Sequence, residues 1–520
     1  MEQPSPFSTL PQQPAANNIV ANTTDSTTAS PSVPPTSPFA SPLSSPVKSG
    51  PLDFLQKQKK LLFILLGVIV LVGVGLLAYS FFVKKGVGKK QVTLTYWGLF
   101  EPEPVFQQVI ADYEKAHPNV KINYSMENLR DYRQRLQTAL ARQGTDTKAD
   151  NSGIPLRESP DIFRIHLTWV PMLGNYLAAV PADVYDSPTF EKTFYPSVKE
   201  NLRRQGQYVG IPLGIDSLVL YYNEDLLKSA GKTPPRTWSE LKRLACELTV
   251  YDSQGKLRTS GVAMGTTNNV DHWSDILGLM MLQNGADLSA PASCSRESGA
   301  AVGESEVCLG RDALTFYTIF ASQQACSDME DKPGAVWDNL QPNSTYAFAT
   351  GRVAMYFGPT WRAFEIKELN PNLNFKMIPT PKLEEKTLAW ATYWVEAVSK
   401  NSPNQPEAWA FLKYLSSKEV LEKLYQAQSA LRVFGEPYPR VDMASLLLNQ
   451  PMVSAVIEQA PYATAWYLSS RTSDNGINDQ IIKYYEDAVN SVNNGGDPLS
   501  ALNTTTQGVG QILRQYGLVR

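Results

Sequence analysis

The sequence predicts an α/β protein preceded by one transmembrane helix. Residues 61–83 form a single apolar run of 23 residues without a charge. After this run, the stretch 92–100 is rich in β-forming residues, residues 105–113 repeat apolar side chains at helical spacing, and 120–124 is β-rich again. A strand, a helix and a strand in this order indicate a parallel β-α-β unit.

The first 56 residues are predicted to be a disordered tail. Of residues 1–51, 27 are Pro, Ser or Thr, and aliphatic residues are few. Such a composition buries too little apolar surface to offset the conformational entropy that is lost on ordering. We therefore expect no folded domain before residue 57.

Residues 57–90 are predicted to be a membrane anchor with basic flanks. A helix over residues 61–83 would be roughly 34 Å long, which is enough to cross the hydrocarbon core of a bilayer. A secretory signal has a shorter apolar region, closer to the N-terminus. A buried core helix is the alternative interpretation, but lysines lie immediately on both sides of the run. Because the numbers of lysines on the two sides of the apolar run are nearly equal, they do not decide how the helix is oriented in the membrane.

The composition of residues 91–520 excludes several classes of protein. This part holds 39 Lys and Arg against 47 Asp and Glu, a net charge of −8, which argues against a nucleic-acid partner. The common nucleophile, metalloprotease and nucleotide-binding motifs are missing from the sequence. With three His and no CxxC pair, a zinc site is not expected. A glycosidase with paired carboxylates stays open, because such acids need no fixed spacing.

Four cysteines, all on the C-terminal side of the apolar run, suggest two disulfides in an oxidising compartment. Cys294 and Cys308 would close a short polar loop, which leaves Cys246 to pair with Cys326. Free buried thiols are the alternative.

Further elements follow the β-α-β unit. A third strand is predicted at 161–165, and Thr237 with Glu240 three residues later predicts a capping box at the start of a helix.

Together with these elements, five blocks of the sequence resemble, in the same order, the extracellular solute-binding proteins of ABC importers, in their carbohydrate-binding group (family 1). The blocks are LTYWGLF with FQQVIADYEKAHPNVKINY, SPDIFRIHLTWVPMLGNYLAAVPAD, YVGIPLGIDSLVLYYNEDLLKSAGKTPPRTWSELKRLACELT, AFATGRVAMYFGPTW and AVSKNSPNQPEAWAFLKYLSSKEV.

The resemblance implies a two-lobed periplasmic-binding-protein fold of the type II kind, with a hinge and a ligand cleft. The expected first lobe comprises about 91–213 and 345–395, and the expected second lobe about 214–344 and 396–520. The implied function is that of a binding protein, not an enzyme. Such a protein binds a mono- or oligosaccharide without a cofactor and delivers the sugar to an ABC permease. The tail would then be cytoplasmic and the large domain extracellular. A ligand-sensing or adhesion ectodomain is the alternative.

In such a fold, the residues that lie directly after the strands line the ligand cleft. A sugar has an apolar face that stacks on aromatic rings and a rim of hydroxyls that pairs with charged or amide groups. Trp361 is expected to stack from the first lobe, and Asp271 or Trp273 to contribute from the second. For each tryptophan, core packing is the alternative. For Asp216 and Asp271 the alternative is a turn or cap residue, and for Arg164 it is a surface or lobe-bracing ion pair. The candidate ligand-binding residues are Trp97, Arg164, His166, Trp169, Asp216, Asp271, Trp273, Trp361, Trp390, Trp394, Trp466 and Tyr467.

Overall fold

The computed structural model describes residues 90–143, 159–295, 306–329, 334–383 and 387–519. The predicted tail and, except for residue 90, the predicted anchor lie outside these residues. Within the described ranges, no helix is both long enough and apolar enough to cross a bilayer.

The described residues form an α/β fold, as predicted. The strands are β1 (Val92–Leu99), β2 (Val120–Glu127), β3 (Ile162–His166), β4 (Arg203–Arg204), β5 (Gln207–Tyr208), β6 (Ile211–Pro212), β7 (Asp216–Asn223), β8 (Val250–Tyr251), β9 (Leu257–Val262), β10 (Val353–Pro359), β11 (Phe375–Ile378), β12 (Ala389–Thr392), β13 (Trp394–Val398) and β14 (Ala463–Thr464).

The helices are α1 (Glu103–Ala116), α2 (Tyr132–Arg142), α3 (Val170–Leu173), α4 (Ser187–Thr193), α5 (Pro196–Asn201), α6 (Glu224–Ser229), α7 (Trp238–Leu248), α8 (Trp273–Asn284), α9 (Leu309–Thr318), α10 (Ser344–Ala349), α11 (Arg362–Leu369), α12 (Gln405–Leu415), α13 (Lys418–Ser429), α14 (Ser454–Gln459), α15 (Ile477–Asn493) and α16 (Pro498–Gln515). Short 3₁₀ turns lie at Leu167–Trp169, Ile319–Ala321, Val441–Leu446 and Ala460–Tyr462.

A five-stranded sheet has the order β2-β1-β3-β13-β6. β1 is parallel to β2 and β3, whereas β13 is antiparallel to β3 and β6. The predicted β-α-β start is confirmed, because α1 connects β1 to β2 and buries Val105, Phe106, Val109 and Tyr113. Helices α12 and α13 pack against α1. We call this sheet, with α1, α2, α12 and α13, the first lobe.

The second sheet has the order β14-β12-β7-β10-β9-β8, and β11 also pairs with β7. β7 is antiparallel to β10, β11 and β12, and β10 is parallel to β9. The strand β7 is the centre of this sheet because residues Ser217–Asn223 are all buried. We call this sheet, with α7–α11 and α14–α16, the second lobe.

The pairing of the strands corrects the expected lobe boundaries. Residues 345–395 were assigned to the first lobe, but β10, β11 and β12 all lie in the second sheet. Conversely, residues 396–398 of β13 and the helices α12 and α13 lie in the first lobe, although the expected second lobe includes 396–520. The pattern of a buried strand does not encode its partner, and β10 is held in the second sheet by its pairing with β7, for example Met355 opposite Tyr222.

Two local predictions are confirmed. Thr237 Oγ1 accepts a hydrogen bond from the Glu240 backbone N–H at 3.2 Å, and the Glu240 carboxylate accepts from the Thr237 N–H at 3.3 Å, which forms the capping box of α7. Both predicted disulfides are present, Cys246–Cys326 and Cys294–Cys308. Both bridges lie in the stretch between β7 and β10, so the second lobe carries all of the cross-links.

Candidate ligand-binding cleft

An aromatic group lies at the end of β3 in the first lobe. The ring of Trp394, the first residue of β13, has its centroid 5.1 Å from Phe100, 5.1 Å from His166 and 5.2 Å from Trp169. Trp394 is directly opposite His166 in the sheet, so the two side chains share one face. Phe100 and Trp394 are partly exposed, whereas His166 and Trp169 are buried. This group offers an aromatic face to a ligand.

His166 is a neutral side chain behind that face. Burial lowers its pKa to about 3, so the imidazole carries no charge near neutral pH. Nδ1 lies 2.8 Å from the Thr168 hydroxyl and accepts from the Thr168 backbone N–H at 3.4 Å. The ring is therefore fixed in one orientation.

Arg164 is a buried bracing residue in the first lobe. Its Nε lies 2.7 Å from a carboxylate oxygen of Glu396, and its Nη1 is 3.8 Å from Glu436. Burial raises the pKa of Glu396, and Arg164 acts in the opposite direction. Because the guanidinium joins β3 to β13 inside the lobe, Arg164 has the bracing role that was the alternative to ligand binding.

Trp361 is the most exposed tryptophan of the candidate set, with 41% of its surface accessible. It follows β10 and therefore belongs to the second lobe, which corrects the expectation that it stacks from the first. The guanidinium carbon of Arg362 lies 4.4 Å from the centre of its ring, and the ring of His272 is 6.2 Å away. Trp361 thus shares a wall with the loop that contains Asp271.

Asp216, at the start of β7, holds the backbone that carries Trp361. Its carboxylate accepts hydrogen bonds from the Thr360 N–H at 3.1 Å, the Thr360 hydroxyl at 2.9 Å and the Trp361 N–H at 3.5 Å. Burial raises the pKa of Asp216 to about 7, although these hydrogen bonds lower it. The residue therefore positions the exposed indole, and its own charge changes near neutral pH.

Asp271 is fixed by polar neighbours in the second lobe. Its carboxylate accepts hydrogen bonds from Asn343 Nδ2 and from the Thr345 hydroxyl. Burial alone would raise its pKa, but Arg362 and His272, together with these hydrogen bonds, hold the pKa below its ordinary value. The Arg362 Nε also donates to His272 Nε2 at 3.0 Å. The result is a charged and amide-bearing wall beside the Trp361 ring.

The remaining candidates divide into core residues and partly exposed ones. Trp97, Trp273 and Trp390 are at most 3% exposed. Trp390 donates to Asp275 at 2.9 Å and packs so closely on Gly278 that a Cβ there would lie 2.6 Å from the indole. These three rings do not meet in a cleft, because they are packed inside the protein. Trp466 and Tyr467 are partly exposed, with ring centroids 5.4 Å apart.

The two lobes are in direct contact. Arg133 of α2 lies 3.0 Å from the Asp474 carboxylate, and it also donates to the Asp474 backbone carbonyl at 2.7 Å. Arg432, which follows α13, is 3.0 Å from the Glu101 carboxylate and lies 5.1 Å above the ring of Phe364 in α11. These contacts join the first lobe to the second.

Sequence reasoning missed several residues of these walls, among them Phe100, Asn343, Thr345 and Arg362. Arg362 could have been found, since it directly follows Trp361, the last residue of the fourth block of the resemblance. Asn343 and Thr345 approach Asp271 only through the fold, and no local pattern points to them.

Among the described residues, Cys294, Glu306 and Cys308 group like metal ligands, but the two thiols are consumed by their disulfide.

Comparisons with known proteins give one consistent result. A family model described as bacterial extracellular solute-binding protein matches residues 108–434. A binding protein of Brucella abortus (strain 2308) is 24% identical over 340 residues, covering 64% of this chain and 73% of the relative. The maltodextrin-binding protein MdxE of Bacillus subtilis (strain 168) is 25% identical over 282 residues, covering 53% and 61%.

Solved structures share the fold. The sugar-binding protein MalE from Xanthomonas citri has a TM-score of 0.61 at 21% identity, covering 81% of this chain and 98% of that one. A solute-binding protein from Thermotoga lettingae, bound with α-D-tagatose, has a TM-score of 0.56 at 22% identity, covering 81% and 99%. The two-lobed α/β architecture of this chain is therefore that of these proteins.

Proposed function

Because this chain belongs to the family of bacterial extracellular solute-binding proteins, we propose that it binds a carbohydrate between its lobes and delivers it to an ABC permease. Relatives support the choice of ligand: MdxE is named for maltodextrin, and the Xanthomonas citri neighbour is a sugar-binding protein. The relatives are named as binding proteins, which favours capture of the ligand over its chemical conversion.

The observation that carries the proposal is that each lobe exposes aromatic rings and that polar groups lie beside the exposed ring of the second lobe. Trp394 and Phe100 offer partly exposed rings in the first lobe, and Trp361 offers one in the second. Asp271 and Arg362 lie beside Trp361. Stacking on the apolar face of a sugar and hydrogen bonding to its hydroxyls need this combination.

We further propose that the chain is anchored in the cell membrane by residues 57–90, with the tail cytoplasmic and the lobes outside. A receptor serves an importer only on the side from which the ligand comes. The two disulfides support an oxidising location for the lobes. Protease added to intact cells should remove the lobes. If the protease removes only the tail, the protein has the opposite orientation in the membrane.

The binding function is tested with the purified chain and a panel of mono- and oligosaccharides. A ligand that binds only the native state raises its stability by RT ln(1 + [L]/Kd), so at least one sugar should raise the unfolding temperature. Product analysis in the same samples separates binding from catalysis. Release of product with turnover would favour a glycosidase, and stabilisation by no sugar would reject the carbohydrate ligand.

A further inference from the structure

Loop 470–476, which lies between β14 and α15, has an unusual backbone. Three of its residues other than glycine have φ in the left-handed region, namely Ser470 at 43°, Ser473 at 54° and Asn475 at 58°. This conformation is uncommon and strained for residues with a side chain, and it persists only where the surroundings hold it. Three such residues within six positions indicate that other groups fix the shape of this loop.

The carboxylate of Asp479, in the first turn of α15, is the main group that fixes loop 470–476. It accepts hydrogen bonds from three successive backbone N–H groups, those of Ser473 at 3.1 Å, Asp474 at 2.6 Å and Asn475 at 2.9 Å. Hydrogen bonds to an ionised carboxylate are stronger than those between neutral groups. The side chains of Ser473 and Asn475 are exposed, so the contacts of the loop backbone set its shape.

Loop 470–476 is attached to the second lobe. The backbone N–H of Ser470 donates to the Asp275 carboxylate in α8 at 2.8 Å, and the Ser470 hydroxyl lies 2.8 Å from that of Thr392 in β12. Asn478 Nδ2 donates to the Ser470 carbonyl at 3.0 Å. Because these partners all belong to the second lobe, the loop moves with that lobe.

The opposite side of loop 470–476 contacts the first lobe. Arg133 of α2 binds Asp474 twice, since Nη2 donates to the backbone carbonyl at 2.7 Å and Nε lies 3.0 Å from the carboxylate. The two side chains are only 10% and 12% exposed, so salt screens this pair less than it screens a surface pair. Next to it, a Cβ on Gly476 would lie 3.0 Å from Met172 Cε in α3, which shows how closely the loop approaches α3.

We propose that loop 470–476 is a preformed catch for Arg133, and that the catch and Arg133 hold the two lobes together independently of ligand. The left-handed backbone aims the carbonyl and the carboxylate of Asp474 at one guanidinium. Because the loop already has this shape, little conformational entropy is lost when the pair forms. The inference goes beyond the proposed function, since it concerns how often the lobes are together in the protein alone. For any ligand that contacts both lobes, this fraction sets the apparent affinity.

Two substitutions of Asn475 test the backbone of the catch. Asn475→Val and Asn475→Gly remove the same exposed side chain, but a β-branched residue disfavours positive φ, whereas glycine adopts it freely. The measurement is the distance between spin labels on the two lobes of the full chain without ligand. Lys115→Cys in α1 and Glu368→Cys in α11 provide exposed positions for the labels, and both native cysteine pairs are in disulfides. The distance should lengthen in Asn475→Val and stay unchanged in Asn475→Gly. Equal distances in both variants and the parent protein would overturn the inference.

The same substitution in an Arg133→Gln protein separates a catch from general damage to the second lobe. Arg133→Gln alone should lengthen the distance, and adding Asn475→Val should then lengthen it no further, because the partner of the catch is already missing. Equal lengthening by Asn475→Val in both backgrounds would show that the loop acts without Arg133, and would also overturn the inference.

A second left-handed position keeps the test decisive if Asn475→Val does not fold. Ser473→Val and Ser473→Gly repeat the comparison at another exposed residue whose backbone N–H is bound by Asp479. The valine variant should separate the lobes and the glycine variant should not. The same distance in both would overturn the inference. Since no sugar is used, the outcome is separate from that of the binding experiments.

Discussion

Truncation of Trp361 to Ala should weaken sugar binding strongly and leave folding nearly unchanged. The ring is 41% exposed. For a side chain of about 250 Å² this leaves about 100 Å² for a ligand to cover. At about 25 cal/mol per Å², covering this area contributes about 2.5 kcal/mol, which corresponds to roughly a 60-fold change in Kd. Within the protein, the substitution removes the stacking of this ring on the Arg362 guanidinium, which contributes about 0.5–1 kcal/mol at an exposed site.

Calorimetric titration with the sugar that most stabilises the wild type measures the affinity, and urea unfolding without ligand measures the stability. Leu369→Ala is a matched control, because Leu369 is 47% exposed and lies at the far end of α11, away from Trp361. It should leave Kd unchanged. Unchanged affinity in a folded Trp361→Ala protein would refute the reasoning. So would a loss of several kcal/mol of stability, which is typical of a core aromatic.

Three further predictions concern charge, cross-linking and closure. Burial raises the pKa of Asp216 from 3.8 to about 7, so the folded state keeps this proton to higher pH than the unfolded state, and stability falls as pH rises from about 4 to about 7. Asp216→Asn should flatten this fall in urea unfolding at pH 5 and pH 8, and an equal fall in both proteins would contradict the assignment. Replacing Cys246 and Cys326 by Ala opens a loop with a sequence separation of 80, which should lower the unfolding free energy by about 4.5 kcal/mol; a loss below about 1 kcal/mol would argue against the chain-entropy account. Arg133→Gln removes the ion pair with Asp474 between the lobes and should increase the radius of gyration of the ligand-free protein in X-ray scattering, whereas an unchanged radius would mean that this pair does not hold the cleft.

The local part of this fold could be predicted from the sequence. The capping box of Thr237 and Glu240 depends on two residues three positions apart, and the β1-α1-β2 unit depends on apolar spacing within about 30 residues. The disulfide pairing also followed from local reasoning, because the short polar loop between Cys294 and Cys308 suggested the first bridge.

The rest depends on pairing between distant segments. Trp361 follows β10 and Trp390 lies in β12, and both are candidates for the same ligand site in the sequence. One is exposed beside Arg362, whereas the other is buried against Asp275 and Gly278. No local pattern separates them, because their surroundings come from segments about 90 and 115 residues away.

The position of β13 has a consequence for synthesis of the chain. This strand lies between β3 and β6, so the first sheet lacks an inner strand until residues 394–398 have been made, about 230 residues after β3. At typical translation rates this interval is roughly ten to fifty seconds. During that time one edge of β3 is open to pairing with other chains. The ribosome therefore completes the core of the second sheet before it completes the first, and a chain that ends prematurely within the second lobe leaves an aggregation-prone edge in the first.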